Sequence, residues 1–244
     1  MTGKKLWSPI TTETNINSFV NFINKKEELI SYKDLHQWSI EKKEIFWDQV
    51  WKYTNIIGEK KEDIFRDSKH FINTKFFETS SLNYTENCLQ VNNDEDAIVF
   101  FNEQSQCRRI SWKQLRLNVF KISHYFKTHN VKECDRIAAI LPNIPETVEA
   151  FLASAQIGAI WSSCSSDFGA KAIIDRFKQI RPKILIVTNY YFYNNKKIDT
   201  LKNIKLIIHE ITSIENVIVI PYENKEITIT DFKYTNWNEI IKNN

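Results

Sequence analysis

The chain has 244 residues, enough for a sizeable core in one or two domains. Hydrophobic residues at 42% and charged residues at 26% are ordinary proportions for a soluble globular protein. Its 33 basic side chains are offset by 30 acidic ones, and a net charge of +3 gives no electrostatic footprint for nucleic acid or a membrane surface.

Residues 1 to about 90 read as helices and irregular segments. In NINSFVNFINKK, Ile16, Phe19, Val20 and Ile23 fall at helical spacing, with Asn15 or Asn17 available as a cap. SYKDLHQWSIEKKEIFWDQVWKYTNI predicts two short helices, marked by Leu35 and Trp38 and then by Ile45, Phe46, Val50 and Tyr53. Trp47 and Trp51 lie one turn apart, and core packing explains them. FFETSSLNYTENCL reads as an ordered extended segment. The N-terminal MTGKKLWSPITTETN has no apolar core of signal-peptide length, and no run approaches the ~20 apolar residues of a membrane span.

From about residue 94 the pattern changes. DAIVFF (96–101) and CRRISW (107–112) predict a hairpin joined by NEQSQ. Trp112, Leu115, Val119, Ile122 and Phe126 form one helical stripe. A strand near 136–141 ends at Pro142, and Pro145 suits the first turn of the next helix, whose Val148, Phe151, Leu152 and Ala155 share a face. Gly158 suits the end of that helix. AIW (159–161) reads as a short buried strand, SSCSSD as a connection, and about 168–180 as a helix that Pro182 closes. KILIV (183–187), KLIIH (205–209) and NVIVI (216–220) read as strands, and ITIT (227–230) as a short alternating strand before a weak helix. Strand–helix–strand grammar with continuously apolar strands predicts an α/β fold: an N-terminal helical extension, then a partial Rossmann-like subdomain with a largely parallel sheet, divided as 1–90 and 91–244.

Ligands of such sheets bind beyond the carboxyl ends of the strands, where SSCSSD falls. Ser165, Ser166 or Asp167 suits a helix cap, and a helix start attracts phosphate, although Asp167 already places a carboxylate there. On chemistry alone, cap plus turn is the favoured reading. Cys164 has no histidine near it in sequence and reads as a buried inert thiol. Cys88, Cys107, Cys134 and Cys164 lack the about two-to-four-residue spacing of a metal knuckle, and read as reduced thiols of a cytoplasmic protein. Glycine occurs at positions 3, 58, 158 and 169, and no GxxxxGK[ST] or GxGxxG is present. No catalytic residue and no metal ligand is nominated.

CDRIAAILPNIPETVEAFLASAQIGAIWSSCSSDFG, followed by DRFKQIRPKILIV, resembles acyl-CoA synthetases of the adenylate-forming superfamily. SYKDLHQWSIEKKEIFWDQVW and KFFETSSLNYTENCL are similar to the N-terminal extension of those enzymes, and ISWKQL to an early strand-to-helix motif. The WSSCSSDFG version is similar to the branch acting on acetoacetate rather than acetate. The resemblance implies a ligase that uses ATP, Mg²⁺ and CoA, through an acyl-adenylate. It also implies a much longer protein, in which a phosphate loop and a C-terminal lysine domain follow the segment present here. The expectation is an N-terminal portion, inactive alone, with a complementing C-terminal chain as a possible partner. A non-catalytic CoA- or nucleotide-binding module, or one half of a split ligase, is the alternative. The implied cofactor-binding residues are Trp161, Ser162 and Ser163 beside the CoA nucleotide, and Lys196 and Lys197 near its phosphate. In YYFYNNKK, Asn194 and Asn195 replace expected glycines, and asparagine tolerates positive φ. The two lysines are either a phosphate contact or a solvated surface pair.

Overall fold

The computed structural model describes residues 7, 14–24, 31–224 and 227–243. Trp7 apart, the N-terminal stretch up to residue 13 lies outside the described residues. The chain divides into two units, Met1–Leu82 and Asn83–Asn244.

In the first unit, α1 (Asn15–Ile23) is capped by Thr14, whose hydroxyl accepts from the Asn17 N–H. The cap therefore precedes both asparagines considered for that role. Helix α2 (Tyr32–Glu41) opens on a capping box: Ser31 Oγ accepts from the Asp34 N–H, and Asp34 returns a bond to the Ser31 N–H at 2.8 Å. Helix α3 (Lys43–Tyr53) follows after Lys42 alone. Phe19, Ile23, Leu35 and Trp38 form the small core, with Phe46, Val50 and Tyr53 packed against it. Ile45, expected on that stripe, is exposed. Strands β1 (Phe65–Arg66) and β2 (Lys75–Phe76) pair antiparallel. Trp47 and Trp51 meet Phe76 and Phe77 at ring separations of 5.4 and 5.0 Å, the packing role expected of them.

The second unit begins with α4 (Tyr84–Cys88), a short helix where the sequence suggested extended chain. Asn83 caps it, and Thr85 Oγ1 donates to the Leu152 carbonyl at 2.6 Å. Strands β3 (Asp96–Phe101) and β4 (Cys107–Ser111) form the expected hairpin. There follow α5 (Trp112–Thr128), β5 (Arg136–Ile140), α6 (Pro145–Gln156), β6 (Ile160–Cys164), α7 (Ala170–Ile180) and β7 (Ile184–Thr188). A second hairpin, β8 (Tyr190–Tyr193) and β9 (Lys196–Asp199), comes next, then α8 (Ile204–Glu210), β10 (Asn216–Ile220), β11 (Thr235–Asn236) and α9 (Trp237–Asn243).

The main sheet is parallel, in the order β11-β10-β7-β5-β6. Every residue of β7 is buried, as a strand covered on both faces requires. Ile137, Ala139, Ile184 and Ile186 face one core with Leu115, Val119, Ile122 and Phe126 of α5. Ala138, Ile140, Leu185 and Val187 face the other, with Ile173, Phe177, Ile204 and Ile207. Pairs of helices on opposite faces thus follow from strict alternation along two central strands.

KLIIH is a helix rather than a strand. Ile204, Ile207 and Ile211 recur at helical spacing and all are buried, so the apolar run faces the sheet along one side. ITIT (227–230) forms no strand, and the terminal strand is Thr235–Asn236 instead. Helix α7 ends at Ile180 because Arg181 turns left-handed (φ 52°) ahead of Pro182. Gly158 (φ +73°) lies just beyond α6, where a left-handed residue reverses the chain into β6. A Cβ there would lie 2.9 Å from the flexible Glu133 side chain, so backbone strain sets the cost of adding one. Gly158→Ala is expected to destabilise the chain by about 1–2 kcal/mol, read as a lowered midpoint in urea unfolding.

Candidate functional site

The strand order contains a reversal. From β5 the chain passes through α6 to β6 on one side, then returns through α7 to β7 on the other. A crevice opens beyond the carboxyl ends at such a switch point. Here it has a volume of about 420 Å³. Ile140 at the end of β5 forms its floor, Ser166, Asp167 and Gly169 one wall, and Tyr191 and Tyr193 of the second hairpin another.

The turn after β6 differs from the sequence expectation. Ser162, Ser163 and Cys164 are not connection but strand, paired with Ala138, Ala139 and Ile140 of β5. The small side chains allow the strand to continue at the sheet edge. The loop therefore begins at Ser165. It does not cap the next helix with a side chain: the N-cap is Gly169, and α7 begins at Ala170, about two residues later than expected. The Ser166 hydroxyl is consequently free of capping duty. It is buried against the crevice without a hydrogen-bond partner among the described residues, a state that costs free energy unless a polar group meets it.

Cys164 is buried, and desolvation raises its thiol pKa, opposed by the Arg176 charge. That environment suits an inert thiol rather than a nucleophile. Tyr191, in the opposite wall, also has a raised pKa, from burial first and then from the Asp167 carboxylate. Among the described residues no cluster of three or more His, Cys, Asp or Glu side chains is arranged to hold a metal ion.

The nominated residues stand at two places. Trp161 and Ser163 lie along edge strand β6, where Trp161 Nε1 donates to Ser163 Oγ at 3.2 Å and its ring meets Phe151 edge-on at 6.3 Å. Ser162 points to the opposite side of that strand. Lys196 and Lys197 open β9, on the hairpin after β7. Lys197 Nζ sits 3.8 Å above the Tyr190 ring, a cation–π contact, while Lys196 is exposed. None of the five lines the crevice. Ser166, Tyr191 and Tyr193 do; the sequence placed Ser166 at the ligand-binding end of the sheet but as a helix cap, and did not single out the two tyrosines. The available signal was the same SSCSSD stretch, read with the strand ending three residues too early.

Asn194 and Asn195 have φ of 50° and 58°, so the hairpin turns through two left-handed residues, as expected from asparagine's tolerance of that region. Glu103, from the β3–β4 loop, accepts from both turn amides: Asn194 N–H to Oε1 at 3.0 Å and Asn195 N–H to Oε2 at 2.8 Å.

A buried acid lies away from the crevice. Glu149 of α6 faces α5 and accepts from Asn118 Nδ2 at 2.7 Å. Burial pushes its carboxyl up to about 7; the Asn118 bond opposes this, repulsion from Glu146 adds to it, and attraction to Arg108 opposes it. Arg108 itself makes a two-pronged pair with Glu146, at 2.6 and 2.9 Å.

No helix among the described residues is long and apolar enough to cross a membrane. Residues 85–239 match the AMP-binding enzyme family, and residues 32–88 match the acetyl-coenzyme A synthetase N-terminus. An acetoacetyl-coenzyme A synthetase of Rhizobium meliloti (strain 1021) is 33% identical over 224 residues, which cover 90% of this chain and 34% of that protein. The acetoacetyl-CoA synthetase of Gallus gallus is 36% identical over 212 residues, covering 85% of this chain and 32% of its own length. The solved acetoacetyl-CoA synthetase from Streptomyces lividans superposes with a TM-score of 0.83 at 26% identity, over 92% of this chain and 35% of that one. The chain spans about a third of the length of the curated relatives it matches.

Proposed function

From the premise that this chain belongs to the AMP-binding enzyme family, we propose that it is the N-terminal portion of an acetoacetate–CoA ligase, supplying part of the CoA nucleotide site and none of the adenylation machinery. In the complete reaction an acetoacetate oxygen attacks the α-phosphorus of ATP and pyrophosphate leaves. The CoA thiol sulfur then attacks the acyl carbon, and AMP leaves. Neither step is assigned to a residue here. The glycine-rich loop needed to cradle a triphosphate is missing from residues 1–244, and no acidic cluster among the described residues offers Mg²⁺ a seat. What these residues do is bind and orient.

The observation that carries the reading is the switch-point crevice, with the unpartnered Ser166 hydroxyl in one wall and two tyrosines in the other. Its size and mixed lining suit a heterocycle with polar edges. Trp161, Ser162 and Ser163 lie outside the crevice on edge strand β6, and a CoA nucleotide longer than the crevice is proposed to extend to them, with Lys196 and Lys197 bringing positive charge on the hairpin. The cytoplasm, where ATP and CoA are available, is the proposed location.

Calorimetry of the chain with CoA and, separately, with ATP tests this. CoA is expected to bind saturably and ATP not to bind. Ser166→Leu fills the crevice and abolishes the CoA heat, while Trp161→Ala weakens binding about threefold to tenfold through loss of an aromatic contact. No CoA binding by the unaltered chain removes the site. Unchanged binding by Trp161→Ala returns residues 161–163 to a purely structural strand.

The same crevice also supports a second reading, a nucleotide-binding module that performs no chemistry in any assembly. The difference is a complementing C-terminal chain, which the ligase reading requires and the module reading does not.

A further inference from the structure

Helix α5 carries two stripes. Leu115, Val119, Ile122 and Phe126 are buried in the core, with Trp112 packed against them. Lys113, Leu117, Phe120, His124 and Lys127 lie opposite, spaced four, three, four and three, and all five are exposed. That alternation is the heptad spacing by which one helix presents a seam to another. Leu117 and Phe120, at its centre, are 46% and 59% exposed, and the His124 ring stacks on Phe120 at 6.4 Å with the planes 16° apart. Lysines close both ends of the seam, and exposed Arg116 adjoins it. The 17 residues of the helix include no Asp or Glu. Lys121 donates to the Ile241 carbonyl at 2.5 Å, whereas Lys113, Arg116 and Lys127 make no ion pair among the described residues. Exposed lysines on other helices do find acids, as Lys52 finds Asp48 and Lys178 finds Glu210.

We propose that this seam docks an acidic amphipathic helix of another protein, whose apolar residues seat on Leu117, Phe120 and His124 and whose carboxylates face Lys113, Arg116 and Lys127. The apolar centre supplies affinity, and the basic ends set orientation and speed encounter. A second copy of this chain does not suit the seam. A two-fold contact centred on Phe120 lays Lys113 against Lys127 or against its own counterpart, and either arrangement sets cation on cation. A lipid surface suits it no better, because two large apolar side chains bury little area in a bilayer and the chain carries a net charge of only +3. None of these residues lines the switch-point crevice, so the proposal does not depend on the nucleotide reading.

The test titrates the full chain with a synthetic helical peptide that carries leucine at heptad positions a and d and glutamate at e and g, followed by amide chemical shifts. The shifts are expected to saturate and to centre on residues 113–127. Leu117→Ala with Phe120→Ala keeps a good helix former at two exposed positions and is expected to weaken binding about tenfold or more. Lys113→Glu with Lys127→Glu is expected to abolish binding of the glutamate peptide and to confer binding of its counterpart with lysine at e and g. A merely structural role for the two lysines would not produce that reversal. Unchanged urea midpoints show that each variant is folded. No saturable shift, shifts centred elsewhere, or equal binding of both peptides by the unaltered chain overturns the proposal. Two controls name the other occupants. Dimerisation in sedimentation that is lost in Leu117→Ala with Phe120→Ala would assign the seam to a second copy. Binding of phosphatidylserine vesicles without binding of the peptide would assign it to a membrane. Either result overturns the acidic helix as partner.

Discussion

Glu149→Gln is expected to stabilise the chain above neutral pH by roughly 2–3 kcal/mol and to flatten its pH dependence of unfolding. The native carboxyl is raised from 4.5 to about 7, so the folded state holds a proton that the unfolded state releases. The protonated acid contributes its stability in full below 4.5 and loses it as pH rises through about 7. Between those values the native chain should weaken steadily. Glutamine cannot ionise, yet its carbonyl still accepts from Asn118. Glu146 and Arg108, the other charges that act on Glu149, remain locked in their own two-pronged pair in the variant. Urea midpoints at several pH values read the effect. Parallel curves for the two proteins would show that Glu149 is ionised throughout.

How much of this was legible depends on how many physical signals agreed at each place. The stripe of α5 was readable because five apolar residues kept one period across a whole helix. The central strands were readable because burial on both faces leaves unbroken apolar runs, as in β7. KLIIH was not readable, since five apolar-rich residues fit either period until Ile211 is counted. The end of β6 was hidden by composition. Serine and cysteine are not among the residues that mark a strand by composition, and here they pair with Ala138, Ala139 and Ile140 of β5. That three-residue error made Ser162 to Cys164 read as loop, whereas the loop that borders the crevice begins at Ser165. The β8–β9 hairpin carried a visible turn signal in Asn194 and Asn195, but its partner Glu103 lies about ninety residues away in sequence, and no local pattern reports a contact of that kind.

The division of labour proposed for this chain has its largest consequence in catalysis. Residues 1–244 align with about a third of each acetoacetyl-CoA synthetase they resemble. They carry the crevice proposed above for a nucleotide, and no glycine-rich loop to hold a triphosphate. Acetoacetate attack on ATP needs the α-phosphorus fixed in line and its charge neutralised, and losing that arrangement removes the rate enhancement rather than lowering it by a small factor. The direct measurement is acetoacetate-dependent release of pyrophosphate from ATP by the purified chain, with a full-length relative as the positive control. The account predicts no release above the protein-free blank, with CoA present or absent. Sustained turnover by residues 1–244 alone would contradict it.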